Sequence, residues 1–138
     1  MTYDKPAEWR EGPPNSFRLA SFVVEENGQT AEITVIPLGP AAGSLLDNVN
    51  RWRGQINLPP ISQVELDAAV TQISVDGNEG NYVRISDPAA EVENSILAVI
   101  VPQSHQTVFI KMIGPQELVQ AHTNAFEQFV RSIRLAKP

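Results

Sequence analysis

No cysteine occurs in the 138-residue chain, which removes disulfides, thiolate zinc sites and a cysteine nucleophile from consideration. Histidine is almost as scarce. The two present, His105 and His122, lie in no metal-ligand or nucleophile motif, so histidine-based hydrolysis has little to draw on. Runs of Lys or Arg are missing too. Ten basic residues stand against sixteen acidic ones for a net charge of −6, so a phosphate backbone would meet repulsion and nucleic acid is not an expected partner. The longest apolar run, Ile96 to Val101, falls far short of the ~20 residues a membrane-spanning helix needs. A phosphate-loop lysine and the spaced glycines of a dinucleotide site are both lacking. No position is therefore assigned as catalytic, metal-ligating or cofactor-binding, and no cofactor is expected.

What is present has the balance of an ordinary packed domain, 42% hydrophobic and 19% charged, far from the composition of a disordered chain. The 11 prolines and 8 glycines punctuate apolar segments and nowhere gather into a linker. The length suits one hydrophobic core. Residues 1–138 thus read as a single acidic, soluble domain.

Three strand pairs are legible. Residues 16–25 and 30–38 flank Asn27-Gly28, a dipeptide that readily takes the positive φ of a tight hairpin turn. Residues 71–75 and 81–86 are joined by Asp76-Gly77-Asn78-Glu79-Gly80, and residues 95–101 and 107–113 form the third pair. Ile96 to Val101 has no polar face, so that strand should be central and covered on both sides. The expected fold is α+β, a mostly antiparallel sheet of about six strands between helices.

Helices are expected over residues 44–53, in a short piece after Ser62, and over 115–134. Ser62 with Glu65 matches a capping box. In the last segment Leu118, His122, Ala125, Phe126, Phe129, Val130 and Ile133 share one stripe at 100° per residue. His122, at the centre of that stripe, reads as a neutral core histidine hydrogen-bonded to a neighbour, and His105 as a hairpin-turn residue. Glu25-Glu26, Asp76 with Glu79, and Glu91 with Glu93 fall in turns where water solvates them. The loop Asp76 to Gly80 lacks the ligand pattern of a calcium site. Gly39 to Ser44 reads as a strand-to-helix connection.

The most distinctive segment runs from Asn48 to Pro60. On a helix Leu45, Val49, Trp52 and Ile56 share a face, Arg51 points away and can pair with Asp47, and Arg53 borders the buried side. A guanidinium at that border must be hydrogen-bonded, either to loop carbonyls or to a partner's carboxylate. Asn50, Trp52, Arg53 and Gln55 are accordingly the candidate interaction residues.

With the opening Tyr3, Pro6 and Trp9, the segment Asn48-Val49-Asn50-Arg51-Trp52-Arg53-Gly54-Gln55 and the ending Phe129-Val130-Arg131-Ser132-Ile133-Arg134, the chain resembles a bacterial family of unassigned function. That family has the fold of PsbP, the extrinsic photosystem II subunit, which the Ran-binding nuclear transport factors share. The resemblance implies an antiparallel sheet between helices, used as a docking module and not as an enzyme. It carries over neither a photosystem-binding nor a Ran-binding motif. Exported and lipid-anchored members are common in such a family, so it implies an exported, periplasmic or lipid-anchored protein whose targeting segment lies outside this sequence; Met1 to Trp9 does not have a leader's pattern.

Two functions stay open. One is a non-enzymatic binding or scaffold module with another protein as partner. The other is a small-molecule carrier or hydrolase-like enzyme with a site between helix and sheet near Trp52 or His122, which would require a cavity there with converging polar groups.

Overall fold

The computed structural model describes residues 1–12, 18–39, 43–86, 93–104 and 106–135. The expectations for His105 and Glu91 lie outside these residues. In chain order the elements are β1 (Arg10–Glu11), β2 (Ala20–Glu26), β3 (Gln29–Leu38), α1 (Leu45–Gln55), α2 (Gln63–Ala69), β4 (Thr71–Val75), β5 (Asn78–Ile85), β6 (Asn94–Pro102), β7 (Thr107–Pro115), α3 (Gln116–Ala121) and α4 (Thr123–Ser132). The strands form one seven-stranded sheet in the order β1-β2-β3-β7-β6-β5-β4, with every neighbouring pair antiparallel. The α+β sandwich holds, with one strand more than expected. That strand is the two-residue β1, too short to leave a pattern in sequence; it pairs Arg10 with Val23 and Glu11 with Phe22.

Two turns close their hairpins with positive φ at both central residues, Asn27 and Gly28 (53° and 77°) and Asp76 and Gly77 (51° and 79°), which matches the right-handed twist of the flanking strands. The second turn is shorter than the five-residue link expected: Asn78, Glu79 and Gly80 already belong to β5, opposite Val75, Ser74 and Ile73.

Side chains alternate across the sheet and so build two cores. Leu97, Val99 and Val101 of β6 join Phe22, Ile33, Val35, Ile110 and Met112 under Phe126, Phe129 and Val130 of α4. Ile96, Ala98 and Ile100 point the other way and pack with Val83, Ile85 and Phe109 under Val49 and Trp52 of α1 and Leu66 of α2. The apolar run Ile96 to Val101 of β6 is thus covered on both faces, as its composition requires.

Capping fixes the helices of the second layer. Ser44 Oγ accepts the Asp47 N–H at 3.0 Å, and Ser62 with Glu65 completes the expected capping box ahead of α2. The C-terminal segment departs from expectation, since it is two helices and not one. His122 sits between them with φ −106° and ψ 12°, outside the helical well. Thr123 supplies a cause: its hydroxyl donates to the Val119 carbonyl at 2.9 Å, a back-bond of the kind that bends helices. The stripe survives the break, with Leu118, His122, Phe126, Phe129, Val130 and Ile133 all buried.

Candidate functional site: the open face of the sheet

Among the described residues the α1–α2 layer covers the β5, β6 and β7 part of its side of the sheet. Its core draws on β5, β6 and β7 and on no residue of β2 or β3. On β2 and β3 the residues facing α4 are buried, including Phe22, Val24, Ala31 and Ile33, whereas on the opposite face Glu25, Thr30 and Glu32 are exposed. This is the one-sided burial common in antiparallel sheets.

Along that open face the registers set the order of side chains. The buried Thr34 lies opposite Lys111, the half-buried Ile36 opposite the buried Phe109, and the exposed Leu38 opposite Thr107, while Ser21 of β2 lies beside Thr34. Leu19 joins the same face, held by its N–H to the Val35 carbonyl at 2.8 Å. Leu19 and Leu38 are two of the large apolar side chains left in water, 45% and 36% exposed. The face therefore passes from apolar side chains at one end to charged ones at the other.

Lys111 stands at that transition, on the middle strand of the sheet. Its ammonium lies 5.8 Å from the centre of the Trp52 ring, within cation–π range, and makes no hydrogen bond or ion pair with the described residues. Burial pushes its pKa below the ordinary lysine value; Arg51 lowers it further, Glu32 opposes and Arg18 adds to the depression. Glu32 is itself engaged by Arg18 at 3.2 Å, and Arg18 also donates to Ser21 Oγ at 3.3 Å. Two further cations and one carboxylate thus act on Lys111.

The candidates from sequence divide sharply. Asn50 exchanges two hydrogen bonds with the backbone of Ile61, donating to its carbonyl at 3.1 Å and accepting its N–H at 2.8 Å. Trp52 is buried, edge-on to Phe109 with ring centres 5.7 Å apart. Arg53 donates from Nε to the Pro59 carbonyl at 2.7 Å, the loop-carbonyl alternative. Gln55 is exposed at the end of α1. Arg51 is exposed but is not paired with Asp47; it leans its charge toward Lys111. Lys111 was not among the candidates, although a single lysine within Val108-Phe109-Ile110-Lys111-Met112-Ile113 is a visible signal.

His122 lies on the opposite side, 5% exposed. Nδ1 faces the Trp9 indole N–H at 3.4 Å and Nε2 meets Glu26 Oε1 at 2.6 Å. An indole nitrogen only donates, so Nδ1 must accept and Nε2 carries the proton to Glu26. The ring is the neutral hydrogen-bonded histidine expected, with both nitrogens occupied. Its acceptor corrects another expectation: Glu26 lies at the end of β2 with its carboxylate engaged by the protein, and the turn residue Asp76 is engaged too, its carboxylate accepting the Leu135 N–H at 2.9 Å. Farther along the sheet, Tyr82 Oη and Arg84 both donate to Glu127 Oε2, at 2.9 and 2.8 Å. Burial and the Glu127 carboxylate push the Tyr82 phenol above its ordinary pKa. An open cleft of about 320 Å³ lies at the β4–β5 turn, lined by Ser74, Asp76, Gly77, Arg131 and Arg134. It is formed by neither Trp52 nor His122.

The chain matches no protein-family model and no curated protein. Its fold has a solved counterpart. It is similar to LpqN of Mycobacterium tuberculosis, a protein involved in cell envelope biogenesis, with a TM-score of 0.51 over 96% of this chain and 80% of that one, at 11% identity. At that identity the likeness is one of fold alone. Among the described residues no group of three or more His, Cys, Asp and Glu side chains could hold a metal, and no helix is long and apolar enough to cross a membrane.

Proposed function

We propose that the protein is a non-enzymatic binding module of the bacterial cell envelope that docks another protein on the open face of β2, β3 and β7 beside α1. The observation that carries this reading is the half-buried Lys111 ammonium, unpaired among the described residues, on a sheet face that also bears the exposed Leu19 and Leu38. A desolvated charge without an acceptor costs stability in the free protein, so its retention fits a group completed by something that binds. The occupied nitrogens of His122 speak against acid–base work there. The fold shared with an envelope-biogenesis protein supports placing the module in the envelope, as does the resemblance to exported families with the PsbP fold.

Within this reading Asn50 and Arg53 tie α1 to the loop before α2, Trp52 forms the floor beside Lys111, and Gln55 extends the docking edge. Site-directed photo-crosslinking in cells of the source organism tests it. A crosslinker at Thr30, exposed on the open face, should give a discrete adduct with one protein, and a crosslinker at Gln128, exposed on α4 on the other side, should not. Equal adducts from both positions, or an adduct from Gln128 only, would place docking elsewhere.

A further inference from the structure

The open face also carries a spacing that restricts what can bind. Successive same-face residues on a strand are two positions apart, about 7 Å. From the Thr34–Lys111 row the next row is Ile36 with Phe109, and the one beyond is Leu38 with Thr107. An extended segment lying along β3 therefore meets a cation at one residue and apolar side chains two and four residues on. The cation end holds Lys111, Arg18 and Arg51; of the carboxylates on this face, Glu32 is already engaged by Arg18 and Glu25, farther along, by Arg10. Lys111 Nζ has donors to spare, because an ammonium offers three and none meets an acceptor among the described residues. The Trp52 ring beneath it contributes a cation–π contact but accepts no conventional hydrogen bond.

We propose that Lys111 anchors an acidic side chain of an extended partner segment, an Asp or Glu followed at two and four residues by apolar side chains that lie along Ile36 and Leu38. The inference rests on the docking reading above and names the chemistry its partner must present. Charge complementarity selects the occupant: on a protein of net charge −6 this patch attracts carboxylates locally. The apolar rows favour a peptide over a free small anion.

The test uses an acetylated, amidated Glu-Thr-Leu-Thr-Leu peptide and its Gln-Thr-Leu-Thr-Leu twin, titrated into the intact protein with amide and dimethyl-lysine NMR resonances as readout. The Glu peptide should shift the Lys111 methyl resonance and the amides of Thr34, Ile36 and Leu38. The twin should bind about tenfold more weakly or worse, the loss expected when a charge-assisted hydrogen bond is removed. Lys111→Met should cause a similar drop, Lys111→Arg should restore part of it, and Arg131→Ala with Arg134→Ala in the remote cleft should change nothing. Several outcomes overturn the proposal: equal binding of both peptides, equal binding by Lys111→Met, no binding of the Glu peptide, acetate competing as well as the peptide, or Lys111-dependent binding only to phosphatidylglycerol vesicles. The two readings separate in the crosslinking experiment. An undiminished Thr30 adduct in Lys111→Met leaves the docking face standing and removes Lys111 as its anchor.

Discussion

Truncating Trp52 removes the side chain that links the α1 layer to the sheet and forms the floor beside Lys111. Trp52 is 3% exposed and meets Phe109 edge-on at 5.7 Å. Trp52→Ala therefore forfeits the transfer energy of a large ring and leaves a cavity, ~3–5 kcal/mol together, of which the aromatic pair accounts for roughly 0.5–1.5 kcal/mol. Against a typical total of ~5–15 kcal/mol that is a severe loss. Trp52→Phe keeps an aromatic edge against Phe109 and most of the burial, so it should cost clearly less. Urea denaturation followed by circular dichroism is the assay. With a slope of ~1–3 kcal/mol per molar, Trp52→Ala should lower the midpoint by about 1 M or more, and Trp52→Phe should fall between. A Trp52→Ala protein within about 1 kcal/mol of the parent would show that α1 is not anchored through this ring, and the floor of the docking face would have to be redrawn.

Neighbouring arginines should behave differently: Arg53→Ala loses its bond to the Pro59 carbonyl and should cost ~0.5–1.5 kcal/mol, whereas Arg51→Ala should stay within about 0.5 kcal/mol in denaturant melts. Long-range proton–nitrogen NMR spectra should find His122 protonated at Nε2 and bare at Nδ1, and a proton on Nδ1 would contradict the Trp9 hydrogen bond. Tyr82 should ionise above the ordinary tyrosine value of 10.0 in a phenolate absorbance titration. Because the folded value is the raised one, its stabilising effect is complete below the unfolded value and is lost as pH rises toward the folded value; Tyr82→Phe should flatten that alkaline decline. Gly114→Ala should destabilise by ~1–3 kcal/mol, since its Cβ would lie 2.6 Å from that of Ala31 and 2.9 Å from the Ala31 Cα; an unchanged melting temperature would mean that β3 and β7 can part at little cost.

Much of the fold was legible because it follows from local rules that tertiary structure did not override. The β6 segment had no polar face to offer, so coverage on both sides was the remaining solution. Asn27-Gly28 and the Ser62–Glu65 box name their own backbone conformations. The failures are equally local in origin. Two residues are too few for periodicity, so β1 was invisible. The helix break at His122 left the apolar stripe in phase and betrayed itself only through Thr123, whose hydroxyl can bond either to water or back to Val119.

The candidate site was less legible because its defining property is relational. Angular reasoning on one helix set Trp52 inside and Arg53 at the border of the buried face, leaving a loop carbonyl and a partner's carboxylate both open until the structure showed the Pro59 carbonyl, and it could not say which sheet residues would face them. Lys111 and Trp52 are 59 positions apart in sequence and meet only because β7 runs through the middle of the sheet beneath α1. A pairing of that kind is fixed by strand order, which apolar alternation does not encode. What the sequence did contain was a cost: a lysine in a central apolar strand opposes the packing of its neighbours. Burial and two nearby guanidiniums depress its pKa, so the charged form of Lys111 is disfavoured where it stands. Replacing it by methionine should therefore stabilise the fold, or leave it unchanged, in the same urea melts that expose Trp52→Ala. A residue whose removal helps the fold and harms peptide binding is retained for what it binds; if Lys111→Met is instead strongly destabilising, the ammonium has a structural partner and the docking argument loses its foundation.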